Sequence, residues 1–273
     1  MKKSNSVCIR ILTATDLHQS WPHYGQLSLA TQKHRPDVVA IVGDALHAFE
    51  ISSKKHLAAA QCAKILAELP VTNLLFVRGN DEDSNWTEFV YAWPHERRKL
   101  TALYGTACLI GPLVVVGFPC VTGSEFSWCS HLPLDGNEME SWPFRSREPL
   151  PSNPEAWLPS LMRRIGSAGK TLWLMHESPI GLPLARPEVF NPAWKHAVER
   201  FAPRLGVCGY DHSTPLASQA WHAALGNTMC VNVGQAEAVF HYAVLDFEFN
   251  QATPSLPSKT IVKAFPCGSE VVI

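Results

Sequence analysis

A chain of 273 residues with 46% hydrophobic and 17% charged residues can bury a full core, which excludes long disorder. The formal net charge is −1 and the isoelectric point is near 6.9, so no overall field draws the chain to nucleic acid or to anionic lipid. The eight cysteines form no C-x-x-C pair and several lie in apolar runs, so they read as reduced, buried thiols rather than a disulfide or zinc framework.

No apolar stretch approaches bilayer length, and Met1-Lys2-Lys3-Ser4 runs into a short β-like segment instead of a signal-peptide core. The expectation is a cytoplasmic protein without membrane or nucleic-acid partners, built as a single domain over residues 1–273. Val7 to Ala14 reads as a strand, and Tyr24 to Arg35 as a helix with Leu27, Leu29 and Ala30 on its inner side. The run from Asp37 to Asp44 is almost continuously apolar, as in strands buried on both faces. Lys54 to Leu69 follows as a helix capped by Ser52 or Ser53, with Leu57, Ala60, Ile65 and Leu69 close to one stripe. Asn73 to Val77 is the next strand.

This β-α-β-α-β order gathers the ends of successive strands on one edge, where open α/β sheets build their sites. Farther on, Leu113 to Phe118, Thr171 to Met175 and Leu205 to Cys208 are strand-like, and Pro154 to Ser167 and Pro192 to Phe201 helix-like. From Gln219 the pattern becomes all-β, with Gln219 to Leu225, Thr228 to Val233, Ala238 to Phe249 and Thr260 to Ala264 as candidates. Residues at about 119–153, rich in Pro, Ser, Trp, Glu and Arg, read as a long surface insertion in which Phe126, Trp128 and Trp142 either shape a pocket or pack the loop down.

Polar residues collect where the apolar runs stop. Five segments stand there: Thr15-Asp16-Leu17-His18, Gly43-Asp44, Gly79-Asn80-Asp81-Glu82, Met175-His176-Glu177 and Gly209-Tyr210-Asp211-His212. In an extended segment alternate side chains share a face, so Asp16 and His18 are expected to grip one ion with Leu17 turned away, and Tyr210 and His212 to face opposite Asp211. Carboxylates, one carboxamide and neutral imidazoles make a mixed O/N set suited to Mn, Fe or Zn rather than Ca²⁺.

Taken in order, the segments resemble the calcineurin-like metallophosphoesterase pattern D-x-H, G-D, G-N-H-D/E, a lone His and G-H-x-H, over roughly residues 8–234. The resemblance implies a four-layer αββα sandwich of two mixed β-sheets flanked by helices, whose late strands pack a second sheet on the first. It implies two divalent or mixed-valence ions sharing a hydroxide that attacks a phosphate ester. Asp16, His18 and His212 would hold the first ion, Asp44 would bridge, and Asn80 with His176 would hold the second.

Two positions depart from the pattern. Tyr210 stands where the family has a His, which leaves the second site one ligand short; a phenol titrating near pH 10 ligates only a strongly acidic ion such as Fe³⁺, and otherwise faces substrate together with Asn80. Asp81 replaces the catalytic His. By position it is the catalytic candidate, or else an Asx turn opening the next helix; as a poor acid beside cations it implies either a leaving group that needs no acid or a proton from His47, His23 or His222. Arg78 reads as a solvated strand-end residue that can also touch phosphate.

The expected function is therefore a metal-dependent hydrolase of a small-molecule phosphate ester, with phosphodiester ahead of monoester because Gly209-Tyr210-Asp211-His212 resembles the G-H-D-H segment of phosphodiesterases. One alternative is a degenerate protein-binding scaffold, for which the family's retromer subunit, lacking the catalytic His, is a precedent. Another is a hydrolase with only the first ion.

Overall fold

Runs of β-branched and aliphatic residues supply the frame. The computed structural model describes residues 6–47, 52–82, 89, 92–94, 99–103, 105–118, 154–236, 238–250 and 254–273. The expected insertion at 119–153, with Phe126, Trp128 and Trp142, lies outside them. The strands are β1 (Ser6–Ala14), β2 (Val38–Val42), β3 (Asn73–Val77), β4 (Lys99–Ala102), β5 (Thr106–Ile110), β6 (Leu113–Phe118), β7 (Thr171–Met175), β8 (Leu205–Val207), β9 (His222–Leu225), β10 (Thr228–Val231), β11 (Tyr242–Asn250), β12 (Pro257–Phe265) and β13 (Glu270–Val272). The helices are α1 (Trp21–His34), α2 (Ser52–Ala67), α3 (Leu158–Ile165), α4 (Pro192–Phe201) and the short α5 (Thr214–Ser218).

Two mixed sheets result. One runs β13-β12-β11-β1-β2-β3-β4, and the other β5-β6-β7-β8-β10-β9. Ile9, Ile11, Val38, Ala40, Val42 and Phe247 of the first sheet pack against Val115, Leu172, Leu174 and Leu205 of the second in one apolar layer. Tyr24 and Leu27 of α1 and Cys62 and Leu66 of α2 cover the outer face of the first sheet. Leu161 of α3 and Trp194 of α4 cover that of the second. The order helix, sheet, sheet, helix is the four-layer sandwich, with each sheet buried on both faces.

Several sequence expectations change in detail. Leu29 is 64% exposed and Leu57 74% exposed, because the buried positions of α1 are His23, Tyr24, Leu27, Ala30 and Thr31, and those of α2 run through Ala59, Cys62, Ala63 and Leu66. Residues 158–165 form a separate helix after a 3₁₀ turn at Pro154–Ala156, since Trp157 departs from helical backbone (φ −128°) ahead of Pro159, and Gly166 (φ 80°) ends it. The late strands do not make the second sheet alone. Only β9 and β10 join it, while β11 returns to pair antiparallel with β1 from Ser6↔Asn250 to Thr13↔Ala243 and extends the first sheet. β4, β5, β13 and α5 had no clear sequence signal. All six described cysteines are free thiols, but Cys8 and Cys267 are exposed rather than buried. Among the described residues no helix is long and apolar enough to cross a membrane.

Register aligns the functional ends. Parallel pairing sets Ala14 beside Ile41 and Val42 beside Val77, so the loops after β1, β2 and β3 leave the first sheet together. In the second sheet Phe118 pairs with Met175, Leu174 with Val207 and Val207 with Val231, so the loops after β7, β8 and β10 leave at matching depth.

Candidate metal centre

The loop after β1 is zipped onto the loop after β2. Asp16 N donates to Gly43 O (3.0 Å), His18 N to Asp44 O (2.8 Å) and Gln19 N to Ala45 O (2.9 Å). Asp16 (φ 55°), His18 (φ 43°), Gln19 (φ 55°), Asp44 (φ 49°) and Tyr210 (φ 69°) all take left-handed backbone. The other non-glycine residues described with positive φ, Arg35, Ala202 and Gln219, are helix C-caps. Backbone held in this region by a non-glycine costs of order 1–3 kcal/mol and persists only where its surroundings over-determine it. Asp16 and His18 thus share one cluster through a tight reversal, not through the alternation of an extended segment.

Two glycines permit the close approach. A Cβ on Gly79 would overlap Asp44 Oδ1 and crowd His176, and one on Gly209 would overlap the Thr15 hydroxyl and crowd Asp16. The two sheets therefore bring their strand ends into van der Waals contact at the site.

Asp16, Asp44 and His176 are buried, and their ligand atoms lie within 4.8 Å of one another. The same limit holds for Asp16, His18 and His212, and for His18, Asp44 and Asp81. His176 Nδ1 lies 3.1 Å from the Val42 carbonyl, a contact that requires the ring proton there. Its Nε2 then faces Asn80 Oδ1 at 3.1 Å and Asp44 Oδ2 at 3.3 Å. A parallel arrangement holds His18, whose Nδ1 lies 3.1 Å from Asp81 Oδ2, while its Nε2 lies 3.0 Å from His212 Nε2; the latter is 3.3 Å from Asp16 Oδ1. Lone pairs would confront lone pairs at both places unless a ring proton or a cation lies between them. The donor chemistry fits two borderline transition-metal ions, one toward Asp16, His18 and His212, the other toward Asp44, Asn80 and His176.

The electrostatics agree. Burial works against a charged His176, yet Asp44 and Asp16 push its pKa up to about 10, so without metal a proton takes the cation's part. Burial would raise Asp16, but His212 and His176 hold it below the usual carboxylate range. For His18 burial opposes charge, while the bond to Asp81 and the field of Asp44 raise it. Tyr210 is displaced above its ordinary value by burial and by Glu177 and Asp44. Its ring packs edge-on to His176 at 5.5 Å between centroids, so the phenol borders the second position in its protonated form.

A family model for calcineurin-like phosphoesterases matches residues 9–210. The chain belongs to the calcineurin-like phosphoesterase family. No curated protein matches the sequence. Among solved structures, a dimetal phosphatase from Danio rerio superposes with a TM-score of 0.61 at 12% identity, covering 97% of this chain and 98% of that one. A Thermus thermophilus protein gives 0.60 at 13% identity over 94% and 98%. A Plasmodium protein described as the anchor in the inner membrane complex gives 0.56 at 9% identity over 96% and 86%. Likeness at this level shows the fold, and this fold carries both a phosphatase and an anchor.

Against the family pattern, the structure distributes the sequence candidates unevenly. Asp16, His18, Asp44, Asn80, His176 and His212 converge. Asp81 converges too, but both its oxygens are engaged: Oδ2 with His18, and Oδ1 as acceptor from Asn80 Nδ2 at 2.9 Å. Its backbone N–H donates to Asp44 Oδ1 at 2.9 Å. Of the three alternative histidines, His47 sets its ring 5.7 Å from that of His18. His23 is buried in α1 against Phe240, and His222, in the edge strand β9, meets the Trp221 ring edge-on. Arg78, expected to be solvated, is buried.

Four residues hold the loops; Asp211 was expected to turn away, and the roles of the other three went unrecognised in the sequence. Glu82, fully buried, accepts from the backbone N–H groups of Asp44 (3.0 Å), Leu46 (2.9 Å) and Gly79 (2.5 Å). Burial, with Asp44 adding to it, raises its pKa to about 7. Asn232 donates to the Leu184 and Asp211 carbonyls at 3.0 and 3.1 Å. Gln235 donates to Thr15 O at 3.2 Å and accepts from His241 N at 2.8 Å. Asp211 turns away from the cluster, as expected, and accepts from Thr214 N (3.0 Å), Thr214 Oγ1 (2.8 Å) and Arg186 N (2.8 Å). The only sequence signal for these four was position: each sits within a few residues of a strand end.

Proposed function

We propose that the chain hydrolyses a small phosphate ester with the help of two divalent or mixed-valence ions, Mn, Fe or Zn. Asp16, His18 and His212 hold one, Asn80 and His176 hold the other, and Asp44 lies between. Support comes from the convergence of His18 with His212 and Asp16, and of His176 with Asn80 and Asp44, into donor sets that a cation would fill in place of ring protons. Two such ions lower the pKa of bound water toward neutrality and neutralise the phosphoryl oxygens.

The chain's own residues prepare that chemistry. Glu82 fixes the Asp44 loop, and the Val42 carbonyl fixes the His176 tautomer with Nε2 turned inward. Asp81 does the same for His18, so this reading makes it a positioning residue rather than an acid. His47, beside His18, gives its proton to the leaving oxygen. Tyr210 lines the second position as a protonated phenol, so fewer protein ligands would hold an ion there. Diesters are favoured over monoesters, since a leaving group assisted by one imidazole and a loosely ligated second ion suit a singly charged ester.

Metal analysis combined with turnover of bis-p-nitrophenyl phosphate and p-nitrophenyl phosphate in Mn²⁺ tests the reading. Hydrolysis abolished by Asp44→Asn supports it. Metal-free protein that turns over neither ester with any of the three metals establishes the scaffold alternative instead.

A further inference from the structure

Asp81 lies in the loop after β3, and three of its polar groups reach three of the residues assigned to the ions. Its Oδ2 accepts from His18 Nδ1 at 3.1 Å, and its Oδ1 accepts from Asn80 Nδ2 at 2.9 Å. Its backbone N–H donates to Asp44 Oδ1 at 2.9 Å. The side chain is 8% exposed, and ligand atoms of His18, Asp44 and Asp81 lie within 4.8 Å of one another. One residue therefore touches a ligand of the first ion, a ligand of the second and the carboxylate between them. The residue type matters. A carboxylate offers two acceptor oxygens, whereas a neutral imidazole offers one acceptor nitrogen and a carboxamide one acceptor oxygen. A His at this place could not accept from His18 and Asn80 together.

Resting on the phosphoesterase reading, we infer that Asp81 is a positioning residue shared by the two metal positions, which turns one ligand of each toward its ion and so couples their binding. The contact with His18 puts the ring proton on Nδ1 and leaves Nε2 for the first position, 3.0 Å from His212 Nε2. The contact with Asn80 settles which end of the carboxamide faces inward. Half a turn about its terminal torsion exchanges oxygen for NH₂ at almost no change of shape, and only the oxygen can ligate. With Nδ2 held by Asp81, Oδ1 faces His176 Nε2 at 3.1 Å, at the second position. That position has the greater need of such a brace, because the Tyr210 phenol packs on His176 where the pattern has an imidazole ligand. The change from His to Asp at 81 thus gives up a proton donor and gains support for both ions. An ion at either position steadies the shared carboxylate for the other ligand, and linkage makes that benefit mutual.

Calorimetric titration of the metal-free protein with Mn²⁺ tests this without turnover, because it reads the two binding steps separately. His212→Ala, which strips the first position, identifies the step that belongs to it. Asp81→Ala is expected to weaken both steps, each by about tenfold or more, as losses of outer-shell partners do, while the unfolding midpoint of the metal-free protein stays close to native. Asp81→Asn keeps one acceptor oxygen for the Asn80 amide, so it weakens the first position and spares most of the second. Asp81→His restores the residue of the family pattern and is expected to bind less Mn²⁺ at limiting metal. An Asp81→Ala protein weakened at the first position alone, or an Asp81→His protein that binds both ions as tightly as the native one, overturns the inference while the phosphoesterase reading stands. Native protein that binds neither Mn²⁺, Fe²⁺ nor Zn²⁺ removes the reading and the inference together.

Discussion

The two corners of the metal cluster differ in how they are held. At one, the His176 side chain is fully buried and that of Asp44 is 3% exposed; the Val42 carbonyl and the Asp81 N–H hold them, and Glu82 holds the Asp44 backbone. At the other, the side chains of His18 and His212 are 24% and 39% exposed, and a single carboxylate, Asp81, fixes the His18 ring. The buried corner is enclosed but lacks a ligand at Tyr210; the open corner has its ligands but leaves two imidazoles partly exposed. Coordination and support have thus been divided between the two positions, and substitutions should separate them.

The largest effect is expected at the shared carboxylate. Asp44→Asn removes a charge that serves both corners, and turnover should fall by more than the roughly 100-fold that outer-shell changes cost, with both ions lost on metal analysis. Retention of one ion would show that the corners are independent. Glu82→Ala should come next. It strands the N–H groups of Asp44, Leu46 and Gly79, which costs about 1–3 kcal/mol of stability and about 10–100-fold in metal affinity, read by thermal unfolding and by metal titration.

Asp81→Asn sharpens the contrast. It should weaken the ion at His18 by about tenfold and the other by less, with little change in unfolding, because the His18 ring loses its carboxylate while the Asp81 N–H still holds Asp44. An equal loss at both ions would erase the distinction drawn here. Tyr210→His addresses the missing ligand, and metal content should rise from about one ion per chain toward about two when metal is limiting. The smallest effect belongs to Leu29→Ser, on the exposed face of α1, which should shift stability by no more than about 0.5 kcal/mol.

The α/β class was legible because β2 and β3 are short apolar runs bounded by polar ends and separated by helical periods; the four-layer αββα arrangement came from the resemblance to the family. Short or edge elements were not. β4, β13 and α5 span only a few residues, too few for a period to emerge. Leu29 and Leu57 misled because the buried stripes run through Tyr24, Leu27 and Thr31 of α1 and Ala59, Cys62, Ala63 and Leu66 of α2, which leaves both leucines on the outer face. In the site, Asp16, His18, Asp44 and His176 announced themselves by type and by place after a strand. Glu82, Asn232 and Gln235 did not, since a buried carboxylate or amide gathering backbone N–H and C=O groups looks like any loop residue until the loops are folded.

What the residues determined alone was the list of polar tips and the parallel strands that carry them, because both follow from local pattern and residue chemistry. The tertiary structure decided which tips meet and with which atoms. The reversal at 15–20, the joining of the two sheets at Gly79 and Gly209, and the turning of His18 toward Asp81 all depend on contacts between residues far apart in the chain. Such contacts leave no periodic trace in sequence, because packing and register set them rather than neighbours along the backbone.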